Sequence, residues 1–165
     1  MPSPWPHRST YRAFSVPDTL SLYHQLLSMQ HADDSWPWWQ GMEGSLYTTV
    51  AISRLLARLH HRGYQTALTD SMLHRSVPYL MSYLVKETER MRDYKRRNPR
   101  AVLHPSETLA DILYTISLYP AELSSRERRE ADYVVDLLLP PSSTTSLYTK
   151  AATAIILNLN GHKKA

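Results

Sequence analysis

The stretch 45–63, SLYTTVAISRLLARLHHRG, carries a helix pattern, a stop signal and a row of cations together, and the rest of the chain is placed around it. Leu46, Val50, Ile52, Leu55, Leu56 and Leu59 recur at three- and four-residue steps, which lines one side of a helix with aliphatic carbon. Gly63 follows and is free to take the left-handed conformation that ends a helix. Arg54, Arg58 and Arg62 stand four apart, so their guanidinium groups stack along a separate flank open to water, carboxylates or phosphate.

Upstream, Pro17 and Asp18 open a first helix near 17–30, with Leu20, Tyr23, Leu27 and Gln30 along one face. Between it and the anchor lies HADDSWPWWQGMEG. Three tryptophans around one proline are poorly solvated. Trp36, Trp38 and Trp39 are therefore expected to pack as an apolar plug, against the chain's own helices or against another protein. Asp33 and Asp34 have no further carboxylate at helical spacing and read as a cap or turn rather than metal ligands.

Downstream, residues 66–97 read as a long helix antiparallel to the anchor, with Leu73, Val77, Leu80, Met81, Leu84, Thr88 and Met91 in period. An interior proline costs about 3 kcal/mol, so Pro78 predicts a kink or a helix that starts only near Ser76. The helix ends in Arg90, Arg92, Lys95, Arg96, Arg97 and, beyond it, Arg100, cations that the macrodipole favours at a C-terminus. Glu87, Glu89 and Asp93 are spaced to neutralise part of this cluster.

Pro105 and Ser106 then open a helix with Leu109, Ile112, Leu113 and Ile116 on one face. Ser124 and Glu127 have capping-box spacing and open another, with Ala131, Val134, Val135 and Leu138 inward and Arg126, Arg128 and Arg129 outward. Pro140 and Pro141 stop it. A last helix runs from about Thr145 to Leu159, with Asn160 and Gly161 at its end.

These helices share a pattern. Ser45-Leu46-Tyr47-Thr48 recurs as Ser146-Leu147-Tyr148-Thr149, and TVAISRLLARL lies over TLADILYTISL. A helix and its partner, a second such pair, and a final helix without one are how helical arrays are written, each pair burying its stripe on the next. The expected fold is all-α: five or six helices in antiparallel pairs, stacked as a short α-solenoid-like domain over residues 17–161. The unpaired last helix leaves an apolar edge, so Leu147, Ile155, Ile156 and Leu159 join the three tryptophans as candidate protein-interface residues.

Nineteen Lys and Arg against fifteen Asp and Glu give a net charge of +4, a mild bias toward acidic partners. The chain has no cysteine, which removes disulfides, thiol catalysis and thiolate metal sites. No apolar run approaches the roughly 18–20 residues a membrane span requires. The first nineteen residues have the composition of a transit peptide, with Arg8, Arg12 and no acid before Asp18, but Pro2, Pro4 and Pro6 spoil the amphipathic helix such signals form. Residues 1–16 are read as an extended arm and 162–165 as a basic tail. His60 and His61 are neighbours pointing about 100° apart on a helix, and His24 and His31 have no third ligand nearby. The sequence holds no H-E-x-x-H, no G-x-S-x-G and no phosphate-cradling glycine loop. No metal, cofactor or catalytic residue is expected.

The phrase ETLADILYTISLYP, and less closely TTVAISRLLARLHHRGY, resembles the first helix of the repeats in organellar RNA-associated helical proteins, the octotricopeptide and FAST-kinase-like class. The RAP domain that ends many such proteins has no counterpart here. The resemblance implies an organellar, mitochondrial ribonucleoprotein setting and names no RNA-contacting residue. Charge adds candidates of its own for RNA or an acidic partner: Arg54, Arg58, Arg62, Arg92, Lys95, Arg96, Arg97 and Arg100. A non-catalytic subunit of a ribonucleoprotein, contacting other proteins and RNA backbone, is the expected role. The alternative is a structural accessory subunit of a respiratory or ATP-synthase complex.

Overall fold

The computed structural model describes residues 16–139 and 146–160. The arm, the Pro140-Pro141 stop, Gly161 and the basic tail lie outside the described residues. Six helices are seen: α1 Val16–Ser28, α2 Leu46–His61, α3 Ala67–Arg97, α4 Glu107–Leu118, α5 Ser125–Leu138 and α6 Leu147–Leu159. A two-residue hairpin, β1 Trp36–Pro37 with β2 Gly44–Ser45, precedes α2 and pairs antiparallel, Trp36 with Ser45.

The helices start where hydroxyl caps place them. Ser45, Ser106 and Ser146 each accept a hydrogen bond from the backbone N–H three residues on and so open α2, α4 and α6. Thr66 and Ser124 open α3 and α5 with full capping boxes. Ser124→Ala removes the hydroxyl half of the second box, leaving the backbone N–H of residue 124 to donate to Glu127, and is expected to cost about 1 kcal/mol. Urea unfolding compared with the parent chain measures it.

At the other end of α2, Gly63 takes φ +76°. Its N–H donates to the His60 carbonyl and the Tyr64 N–H to the Leu59 carbonyl, the paired bonds that close a helix on a left-handed residue.

Two layers result. Helices α2, α4 and α6 stack in order in one, and α3 and α5 pack side by side in the other, with α1 laid against α3. Within the first pair the helices run antiparallel: Ser53 meets Ser76 and His60 meets Asp70. Helix α3 starts at Ala67, not near Ser76, and Pro78 stands inside it. Pro78 and His74, the residue whose carbonyl loses its donor, are both exposed, so that carbonyl is left on the wet side of the helix.

The larger core joins Val77, Leu80, Met81 and Leu84 of α3 to Leu109, Ile112 and Leu113 of α4 and Val134 of α5, with Ile156 closing it from α6. Helix α4 is buried around most of its girth because it has neighbours on both sides. A second cluster joins Leu56, Met72 and Leu73 to Trp36, with Tyr23, Leu26 and Leu27 of α1 against it, and Tyr114 and Tyr119 border both clusters.

The α2 stripe is rotated from its expected position. Thr49, Val50, Ser53, Leu56 and Ala57 are buried, Leu46, Ile52 and Leu59 are half-buried, and Leu55 is exposed. Small and hydroxylic residues let α2 approach α3 closely, and their hydroxyls are satisfied. Ser53 Oγ lies 2.8 Å from Ser76 Oγ, which donates to the Leu73 carbonyl, and Thr49 Oγ1 donates to the Ser45 carbonyl. On α1, Leu20 is exposed and Leu26 takes its place against the core.

Candidate interaction groove

The first layer is a row of parallel helices, and its outer surface is a groove with α4 as floor and α2 and α6 as walls. Tyr47, Ala51, Arg54, Arg58 and Arg62 share one face of α2 by their spacing. At the N-terminal end the groove is lined by Tyr47, Arg54, Glu107, Asp111 and Tyr148. At the other end Arg58, Arg62, Tyr114, Leu118, Ile155 and Leu159 surround a hollow of about 390 Å³.

The N-terminal end is closed by ionic contacts across the row. Arg54 Nη1 donates to Asp111 Oδ1 at 2.8 Å, and the Tyr148 hydroxyl hydrogen-bonds both groups, while the Arg54 guanidinium stands 5.7 Å from the Tyr148 ring centre. Burial and the bond to the Asp111 carboxylate push the Tyr148 phenol up to about 12, so it remains a neutral donor. Arg54 therefore ties three helices together and is not a free cation. It keeps its place in the row with Arg58 and Arg62, but its carboxylate comes from within the chain.

Those two remain exposed on the α2 wall and make no ion pair among the described residues. The row of three is thus divided by chemistry: one guanidinium is bound and two are available.

The second basic group also divides. Arg92 Nη1 lies 2.6 and 2.5 Å from the two oxygens of Glu130, which is buried, and its guanidinium stacks 4.2 Å from the Tyr133 ring centre. Burial alone would raise the Glu130 carboxyl, but hydrogen bonds from Arg92 and Thr88 and the charges of Arg92 and Arg126 hold it below the ordinary value. Arg92 is thus the tie between α3 and α5. Arg96 pairs with Asp93, Arg97 Nε donates to the Asp93 carbonyl, and Lys95 Nζ donates to the Ala101 carbonyl at 2.6 Å. These three and Arg100 stay exposed at the far end of α3.

The apolar candidates separate in the same way. Trp36 is wholly buried, its backbone N–H donating to Thr49 Oγ1 and its indole Nε1 to the Leu26 carbonyl, both at 2.9 Å. Gly44 allows this hairpin to close: a Cβ there would lie 1.8 Å from the Oγ of buried Ser35. Trp38 and Trp39 point away from the core, 56 % and 73 % exposed, beside Met42 at 50 % and Tyr47 at 70 %. The Trp38 and Tyr47 rings stack with centres 5.3 Å apart. Of the α6 residues, Ile156 is buried and Leu159 half-buried, packed within the chain, because α4 already covers that side. Leu147 and Ile155 are exposed.

Elsewhere, Asp33 accepts from the Ser35 N–H and hydroxyl, and Asp34, at φ 66°, pairs with Arg75 Nε at 2.7 Å. His60 Nδ1 is 2.9 Å from Asp70 Oδ1. Among the described residues no helix is long and apolar enough to cross a membrane.

Sequence reasoning missed Glu130, Asp111 and Tyr148. A signal existed for the first, an acid at an inward helical position among Ala131, Val134 and Val135, but its partner lies 38 residues away. Comparison with protein-family models, curated proteins and solved structures returns no match.

Proposed function

We propose that this chain is a non-catalytic interaction subunit of a larger assembly. The observation that carries this reading is the aromatic patch on the β1–β2 hairpin and the start of α2. Trp38, Trp39, Met42 and Tyr47 stand together largely in water, although Trp36 of the same turn is fully buried. Exposed tryptophan is costly to leave hydrated and is the residue type most enriched at binding hot spots. The hairpin is bonded to α2 through the Trp36 N–H and Thr49, and Trp38 is stacked on Tyr47, which reduces the ordering entropy to be lost on binding.

A mitochondrial ribonucleoprotein is the proposed setting, supported by the repeat resemblance and by the exposed cations Lys95, Arg96, Arg97 and Arg100 at the end of α3. The tagged chain, expressed in its native cells, is expected to fractionate with mitochondria and to sediment in a particle heavier than the free chain. Trp38→Ser with Trp39→Ser should release it toward free-chain sedimentation without lowering its melting temperature, since neither ring supports the core. Sedimentation of the parent as a free chain, or a double variant that stays in the particle, defeats the interaction reading. Ribonuclease decides the setting: a particle that keeps its size favours the accessory subunit of a non-RNA complex instead.

A further inference from the structure

We propose that the C-terminal half of the groove seats an acidic amphipathic helix from a partner protein. This rests on the interaction-subunit reading and names the chemistry of one partner. Three pairs of residues line the hollow, each four apart: Arg58 and Arg62 on α2, Tyr114 and Leu118 on α4, Ile155 and Leu159 on α6. Four residues of helix rise about 6 Å, so all three pairs have the spacing of one turn and match i, i+4 rows on a helix laid along the groove. Such a helix would place carboxylates toward α2, aliphatic side chains toward α6 and its apolar midline on Tyr114 and Leu118, the arrangement of helix-in-groove recognition.

Charge selects the occupant. Arg54, Arg75, Arg90, Arg92, Arg96 and Arg126 each have a carboxylate partner; Arg58, Arg62, Arg97, Arg100, Arg128 and Arg129 have none among the described residues, and of these Arg58 and Arg62 line the hollow. The macrodipole accounts for cations in the last turn of α2, but not for Ile155 left 42 % exposed on the facing wall. The chain's own undescribed segments, 1–15, 140–145 and 161–165, contain no Asp or Glu and so cannot supply carboxylate side chains. A second copy offers Asp132 and Asp136, exposed and four apart on α5, yet Arg128 and Arg129 accompany them on the exposed side of that helix, which would set cations among the arginines of the groove. Single-stranded RNA is matched less well, since successive bases need a run of flat surfaces and this end of the groove has two rings, His61 and Tyr114, facing an α6 wall of Ala154, Ile155 and Leu159 that offers none.

The test uses the full chain and synthetic labelled helical peptides, one with Glu at i, i+4 on one flank and Leu at i, i+4 on the other, and one with Lys replacing Glu. Fluorescence anisotropy should show the Glu peptide binding about tenfold tighter than the Lys peptide. Arg58→Glu with Arg62→Glu should reverse that preference, and Ile155→Ser should weaken both. All three residues are exposed, so circular dichroism should show the variants folded. Failure to bind either peptide, equal affinity for both, or a preference unchanged by the charge reversal overturns the proposal. So does an oligouridylate that binds the parent and is lost by the same variant, or a dimer of the chain that the variant dissolves. A cellular particle that forms and survives Arg58→Glu with Arg62→Glu sinks this inference alone. A parent chain found in no particle sinks the reading beneath it.

Discussion

Trp36→Ala is expected to cost about 3–5 kcal/mol. The ring is fully buried where α1, the hairpin, α2 and α3 meet, in contact with the cluster of Leu56, Met72 and Leu73. Its removal leaves a cavity that these elements cannot close without moving the hairpin, whose position is also fixed by the Trp36 N–H bond to Thr49. Trp36→Phe keeps most of the volume but leaves the Leu26 carbonyl without its indole donor, for a further cost of about 1 kcal/mol beyond any packing loss. Urea unfolding followed by far-ultraviolet circular dichroism measures both. Fluorescence supplies an independent check in a Trp5→Phe background: Trp36→Ala should remove the blue-shifted part of the emission and leave that of exposed Trp38 and Trp39. A loss under about 1 kcal/mol for Trp36→Ala is incompatible with a fully buried ring at this junction.

Arg92→Ala is expected to cost about 2 kcal/mol, the largest effect of removing one charge from the ion pairs described. Breaking a fully buried pair costs about 3–5 kcal/mol, and the value is discounted here because the Arg92 side chain is 40 % exposed while Glu130 is 10 % exposed. The change strands the Glu130 carboxylate between α3 and α5 and removes the guanidinium from the Tyr133 face. The same pair sets a dependence on pH. The folded-state pKa of Glu130 is depressed, so its contribution is fully present above the unfolded-chain value and is lost as the pH falls through the folded one. Stability measured in urea from neutral to acid pH should decline less steeply for Glu130→Gln than for the parent, with the two curves converging at low pH. Parallel curves would show that the pair contributes nothing to acid sensitivity.

These two sites bear on how the chain could be read. The helices themselves were legible because their signals are local. Ser45, Ser106, Ser124 and Ser146 cap from within three residues, Gly63 closes α2 within its own turn, and the period of α3 from Leu73 to Thr88 is carried by one segment. The order of paired helices and a final single one was also written in the repeats, and the two layers follow it.

Helix rotation and the fate of each charge were not local. Leu55 is more apolar than Ser53, yet Ser53 is inside, because Ser76 of α3 offers a hydroxyl and permits close approach. Within Trp36, Trp38 and Trp39 the residue type is the same, and only the register of the hairpin on Thr49 decides which ring is buried. Pro78 could remain inside α3 because packing of the long helix on α2, α4 and α5 opposes a cost of about 3 kcal/mol, and because the freed carbonyl faces outward. Composition counted Arg54, Arg58, Arg62 and Arg92 alike. Tertiary structure bound Arg54 to Asp111 and Arg92 to Glu130, partners 57 and 38 residues away, and left Arg58 and Arg62 beside an apolar wall. Sequence thus determined where helices begin, end and repeat, since capping and periodicity act over a few residues. Which side chains meet across helices was settled only by packing, because burial and ion pairing depend on neighbours that the chain brings together from far along its length.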